Sequence, residues 1–269
     1  MEWLAQQPVV WLAFGAGLFT WFCTALGASV VFFFKDVNRK ALDTTMGFAA
    51  GVMIAASFWS LLSPALEFAE PTYGKLSWLP VAIGFLAGGF FLRLVDMIIP
   101  HIHLSQKEVE GLQPKKRLSR TALLFSAITI HNFPEGLAVG VAFGAIQDGN
   151  TAALVSAIGL ALGIGLQNIP EGAALAVPIR TEGRSRLSAF VWGANSAIVE
   201  PIGALLGAIA VLAMTSLLPY ALSFAAGAMI FVVVEELIPD SQNNGHTDQA
   251  TLGLMIGFVL MMILDVALG

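Results

Sequence analysis

ALLFSAITIHNFPEGLAVGVAFGAI, residues 122–146, is an almost unbroken apolar run interrupted by one polar word, HNFPEG (His131–Gly136). The run is long enough to cross a bilayer as a helix, which takes roughly 20 apolar residues. Within it stand a histidine, an asparagine, a helix-disfavouring proline and a carboxylate. Thirty-six residues later nearly the same word returns as QNIPEG (Gln167–Gly172), inside a second apolar run.

Composition sets the solvent around these words. The chain is 57% hydrophobic and 12% charged, with a mean hydropathy of +0.80. A soluble domain carries about 25% charged residues, so an integral membrane protein follows. The apolar stretches are continuous rather than alternating, which selects helices over a barrel. The expected fold is all-α, one transmembrane domain over residues 1–269, with eight spans. They lie at about 9–34, 44–66, 77–99, 119–146, 151–179, 187–213, 217–239 and 249–268. The uncharged stretch Pro201–Val234 exceeds one helix and is divided at TSLLP (Thr215–Pro219), a turn-like cluster. Met1-Glu2 lacks a basic segment, and the run Val9–Phe34 is too long for a signal sequence, so that run is expected to be the first span. Cys23 is the only cysteine, so no intrachain disulfide can form.

Eleven of the 13 Lys and Arg residues fall on one side of this arrangement: Lys35, Arg39, Lys40, Lys107, Lys115, Lys116, Arg117, Arg120, Arg180, Arg184 and Arg186. The positive-inside rule makes that side cytoplasmic and both termini external. The loop at about 100–118 is then cytoplasmic, polar and expected to be flexible. Its Lys115–Arg117 run first determines topology and is also suited to anionic lipid. No nucleic-acid partner is expected.

The repeats run in opposite directions. HNFPEG in span four and QNIPEG in span five are antiparallel. So are FAAGVMI (Phe48–Ile54, span two) and FAAGAMI (Phe224–Ile230, span seven). More weakly, IGF…LRLVD in span three echoes IGF…MMILD in span eight, pairing Asp96 with Asp265. A 3+2+3 inverted-repeat arrangement follows, with spans one to three and six to eight around a central pair. Such repeats typify secondary transporters, whose sites lie near the midplane.

Ionisable groups inside a membrane cost several kcal/mol (about 2.5–3.5 on insertion scales) and read by default as functional. His131 and Glu135, four apart, share a helix face, with Asn132 at its flank. Gln167, Asn168 and Glu171 repeat the pattern, and Glu200 adds a third carboxylate in span six. Pro134 and Pro170 are expected to bend their helices and turn carbonyls towards a cavity; Gly136 and Gly172 would admit close neighbours. Three carboxylates, an imidazole and three amides hold no basic partner, so they share protons or bind cations. Imidazole with oxygen donors suits Zn²⁺ or Fe²⁺. Seven candidate ligands could hold two ions bridged by Glu135 and Glu171.

These words, with VEP in span six (Val199–Pro201), resemble the ZIP (Zrt-, Irt-like) divalent metal transporters, close to their bacterial GufA-like branch. The resemblance covers essentially the whole chain. It implies uptake of Zn²⁺, with Cd²⁺, Fe²⁺ and Mn²⁺ as further cargo and no prosthetic group, across a bacterial inner membrane. It also implies an elevator motion of spans one, four, five and six against two, three, seven and eight, and it is compatible with a homodimer. By matching positions, one ion would use Met53, His131, Glu135, Gln167 and Glu171. The other would use Asn132, Glu135, Asn168, Glu171 and Glu200. Many relatives carry His or Asp where Gln167 or Asn168 stands, and two neutral amides weaken the charge at the second ion.

Further residues mark a path. Ser60, Glu67 and Asp265 lie towards the outside, where acids concentrate cations. Asp96, His101, His103, Glu235 and Glu236 lie towards the inside. Asp43 reads as a helix N-terminal acid. Two other classes remain: a membrane di-metal enzyme, which would want a Glu-x-x-His spacing rather than the His-x-x-x-Glu found here, and a proton-coupled carrier of another solute.

Overall fold

Several spans begin at side chains able to cap them. Asn38, Ser119, Asn150 and Ser185 each accept a hydrogen bond from a backbone N–H of the first turn, at 3.0, 3.2, 3.1 and 3.1 Å. Such caps satisfy otherwise unpaired donors at a helix start. The computed structural model describes residues 2–34, 38–102, 109–112, 118–146 and 150–268. Among them eight helical segments are long and apolar enough to cross a membrane: Val9–Phe33, Arg39–Leu76, Trp78–Ile98, Arg120–Gly144, Thr151–Thr181, Arg186–Ala213, Thr215–Gln242 and Thr247–Ala267. They are spans one to eight. No strand occurs among the described residues, only an isolated bridge between His101 and Glu110.

Span two is much longer than its apolar core. The Asn38 cap starts it five residues before the expected boundary, and it continues past Glu67 to Leu76. Asp43 is not a helix-start acid. It is fully buried, with Arg39 Nε at 2.9 Å, His246 Nδ1 at 2.8 Å and Asn244 Nδ2 at 3.2 Å. This cluster fastens the start of span two to the start of span eight.

Two packed groups form. Spans one, four, five and six lie against one another, as do two, three, seven and eight; the groups meet chiefly through two against five and seven against four. Within each group, glycines let backbones touch. A Cβ on Gly172 would lie 2.0 Å from the Thr24 carbonyl, and one on Gly136 would lie 2.3 Å from that of Glu200. In the other group, Gly51 rests on the Leu254 carbonyl and Gly227, 176 residues on, rests on that of Phe85. Gly257 meets Phe48, and Gly88 meets Phe224. These contacts relate spans three and eight by 169 residues, the offset between Asp96 and Asp265, rather than by the 173 that aligns their IGF letters. Spans two and seven each contain a wider turn, Ser57–Leu62 and Val233–Leu237, also starting 176 residues apart.

Pro134 and Pro170 lie inside continuous helices. Membrane helices tolerate proline when neighbours re-satisfy the freed groups. The break lies in span six. Helix stops at Asn195 and resumes at Val199. Pro201 accounts for it, because its ring conflicts with the carbonyl four residues back, at Ala197. Glu200 therefore sits in the first turn of a half-helix.

Candidate metal site

Span four supplies His131, Asn132 and Glu135, span five supplies Gln167, Asn168 and Glu171, and the half-helix of span six supplies Glu200. All seven are buried, Asn132, Glu135, Gln167, Asn168 and Glu200 completely. Gly136 and Gly172 create this convergence. By letting span six touch span four and span one touch span five, they bring three carboxylates into one interior. Glu135 stands within electrostatic reach of both Glu171 and Glu200.

Satisfaction is uneven across the cluster. Both oxygens of Glu135, both polar atoms of the Asn132 side chain and Gln167 Oε1 make no hydrogen bond among the described residues. The Gln167 side chain approaches Glu135. Buried acceptors left this way are costly unless a ligand meets them. Glu200 differs. Asn168 Nδ2 donates to its two oxygens at 2.9 and 3.0 Å and also lies 3.2 Å from the Thr20 carbonyl. Gln167 Nε2 donates to Asn168 Oδ1 at 3.4 Å. Among the described residues no group of three or more His, Cys, Asp and Glu side chains is gathered into a closed ion site. An ion here would draw on amide oxygens as well.

A small pocket adjoins the cluster towards the basic ends of the helices, lined by Met46, Ile128, His131, Glu171, Val232 and Glu236 among others. His131 Nδ1 contacts Glu236 Oε2 there. Glu235 points away and is exposed, since adjacent helix residues lie on different faces. Of the expected Glu-Glu pair, one carboxylate reaches the site. Met53 is fully buried in span two. Met46, two turns nearer the basic end, lines the pocket with His131 and Glu171; its position seven residues before Met53, on the same helix face, was the available signal. Farther along, Asp96 and His101 are both buried, with His101 Nε2 at 3.4 Å from Asp96 Oδ1 and its Nδ1 at 2.8 Å from the Ile99 carbonyl. His101 is thus a packed residue, not a solvated loop histidine. His103 lies outside the described residues.

Towards the opposite end, Ser60, Glu67 and Asp265 come together on a cavity of about 350 Å³. Ser60 Oγ donates to Asp265 Oδ1, and both residues are buried, whereas Glu67 is exposed. The cavity is also lined by Leu160 and Leu222, and none of the seven cluster residues reaches its wall.

The family model of the ZIP zinc transporter matches residues 101–265, the stretch that contains both PEG words and Glu200. Zinc transporter ZIP11 of Homo sapiens is 39% identical, over 93% of this chain and 95% of that protein. Zinc transporter GufA of Myxococcus xanthus is 42% identical, over 94% and 98% respectively. Zinc transporter ZIPB of Bordetella bronchiseptica is 38% identical, over 91% and 78%. The chain belongs to the ZIP family. ZIP proteins are carriers, which removes the membrane-enzyme alternative. The likeness to GufA agrees with the branch that the motifs suggest.

Proposed function

We propose that this ZIP protein carries Zn²⁺, with Cd²⁺, Fe²⁺ and Mn²⁺ as further candidate cargo, into the cytoplasm of a bacterium across its inner membrane. The observation that carries the reading is Glu135. It is a fully buried carboxylate whose oxygens make no hydrogen bond among the described residues, approached by Gln167 and facing a second PEG carboxylate from the antiparallel span. A divalent ion offsets two such charges at once. His131, Gln167 and Glu171 complete its surroundings, with Met53 as a further ligand. The cargo enters past Glu67, Ser60 and Asp265 and leaves past Glu236, then Asp96, His101 and His103. Both termini face outward.

The motion is an elevator-type displacement of spans one, four, five and six, in a chain built as a 3+2+3 inverted repeat. Packing supports this division. Inside each group, glycines lock backbone to backbone. At Gly163, facing the other group, the nearest atoms to an added Cβ are the flexible end of Met261, at 2.2 Å, and the Val52 side chain. A side-chain interface slides more readily than interlocked backbones. Two copies pairing through lipid-facing surfaces form the dimer.

The test is ion uptake by proteoliposomes containing the purified chain, compared across Zn²⁺, Fe²⁺, Mn²⁺ and Cd²⁺. Zinc accumulation above empty vesicles is expected; no flux of any of the four would refute the function. Asp265→Asn removes charge from the outer cavity. Acidic mouths raise cation on-rates by 10-fold or more, so uptake is expected to fall several-fold at low zinc and less at saturation. An equal loss at all zinc concentrations would count against an entrance role.

A further inference from the structure

We propose that Asn168, backed by Thr20 and Thr24 of span one, closes the second of the two candidate positions to a cation, so that this carrier holds one ion. The inference rests on the metal-carrier reading above and specifies its cargo count.

The carboxylates Glu135 and Glu200 are satisfied in different ways, while Asn132, also a candidate ligand of the second position, makes no hydrogen bond among the described residues. Glu135 has two oxygens without a hydrogen bond among the described residues, and Gln167 Oε1 is likewise unpartnered. Those are lone pairs available to a cation. At Glu200 both oxygens accept from one amide nitrogen, Asn168 Nδ2, at 2.9 and 3.0 Å. An ionised carboxylate accepts only, so the amide must turn its NH₂ towards Glu200. That orientation takes Asn168 Oδ1 away, where Gln167 Nε2 donates to it at 3.4 Å. Asn168 therefore presents hydrogens, not a lone pair, to the place where an ion beside Glu200 would sit.

Span one adds donors. The Thr20 and Thr24 hydroxyls, both fully buried, stand within hydrogen-bonding reach of Glu200. In the structure they also lie against the carbonyls of Gly17 at 3.0 Å and Thr20 at 3.4 Å. Hydroxyl protons rotate to suit their surroundings, and a hydrogen bond to a carboxylate is roughly twice as strong as one between neutral groups. Glu200 thus has the Asn168 amide as its donor in the structure, with two hydroxyls in reach should they turn from those carbonyls.

The experiment counts ions on the full chain purified in detergent, by equilibrium dialysis against Zn²⁺ and native mass spectrometry. About one Zn²⁺ per wild-type chain is expected. Two per chain would overturn the inference and leave the carrier function standing; none would overturn both. Asn168→Asp is expected to bind about two, and a persistent count of one would show that the amide does not exclude the second ion. Combining Asn168→Asp with Glu200→Gln should return the count to one. If it stays at two, the added ion does not sit between residues 168 and 200. A folding defect would lower these counts rather than raise them, so the gain in Asn168→Asp separates a positioning role from a structural one.

Discussion

Glu135→Ala is expected to abolish zinc uptake in proteoliposomes, and Glu171→Ala to do the same. Each substitution leaves the facing carboxylate buried with one fewer partner for the ion. Removing one member of a buried charge pair costs about 3–5 kcal/mol, which is roughly 10²- to several 10³-fold in occupancy at about 1.4 kcal/mol per decade. Flux should fall by a comparable factor and vanish into the leak of empty vesicles. Glu135→Gln keeps the shape and removes the charge, so it should fail similarly if charge is what matters. Gly136 fixes the span-four backbone against Glu200 in every variant, and Glu135 itself makes no hydrogen bond that packing depends on. The folded protein should therefore be recovered in normal yield. Unchanged flux in both alanine variants, with the proteins inserted, would remove the PEG carboxylates from the transport path.

Much of this site was legible in the letters because membrane burial makes polar residues conspicuous. HNFPEG and QNIPEG stand out against apolar runs, and their antiparallel placement follows from counting spans. What could not be read depends on direction around a helix. Glu235 and Glu236 are adjacent letters, but only Glu236 turns to His131. Met46 is an ordinary apolar letter until span two is rotated so that it lines the pocket. Helix ends were obscured for a different reason. An apolar-run criterion stops at charges such as Asp43, whereas the helix runs on, because Arg39 and His246 compensate that charge once the chain folds. Proline alone does not mark a break. Three sit beside glutamates in these words, and only Pro201 coincides with an interruption, the one that places Glu200 at the start of a half-helix.

The second large effect concerns glycine rather than a ligand. Gly172→Ala is expected to destabilise the protein, and Gly172→Leu to prevent assembly of the site. Gly172 and Gly27 form a reciprocal contact between spans five and one: an added Cβ would meet the Thr24 carbonyl at 2.0 Å in the first case and the Ile169 carbonyl at 1.9 Å in the second. Comfortable non-bonded separations begin at about 3.5 Å, so one methyl must push the helices apart by roughly 1 Å or more. Overpacking of this kind costs about 1–3 kcal/mol, and Leu demands a larger shift. The displaced segment carries Thr20 and Thr24, so the donors around Glu200 move with it. Gly15, in the same span one, supplies the control. Among the described residues nothing lies within 4 Å of a Cβ there, and replacing an open helical glycine by alanine gains about 0.5–1 kcal/mol in helix propensity. Thermal unfolding of the detergent-solubilised chain should therefore shift in opposite directions, upward for Gly15→Ala and downward for Gly172→Ala. If both substitutions moved the midpoint upward, propensity rather than backbone contact would govern span five, and the close approach of spans one and five would not be what holds the carboxylates together.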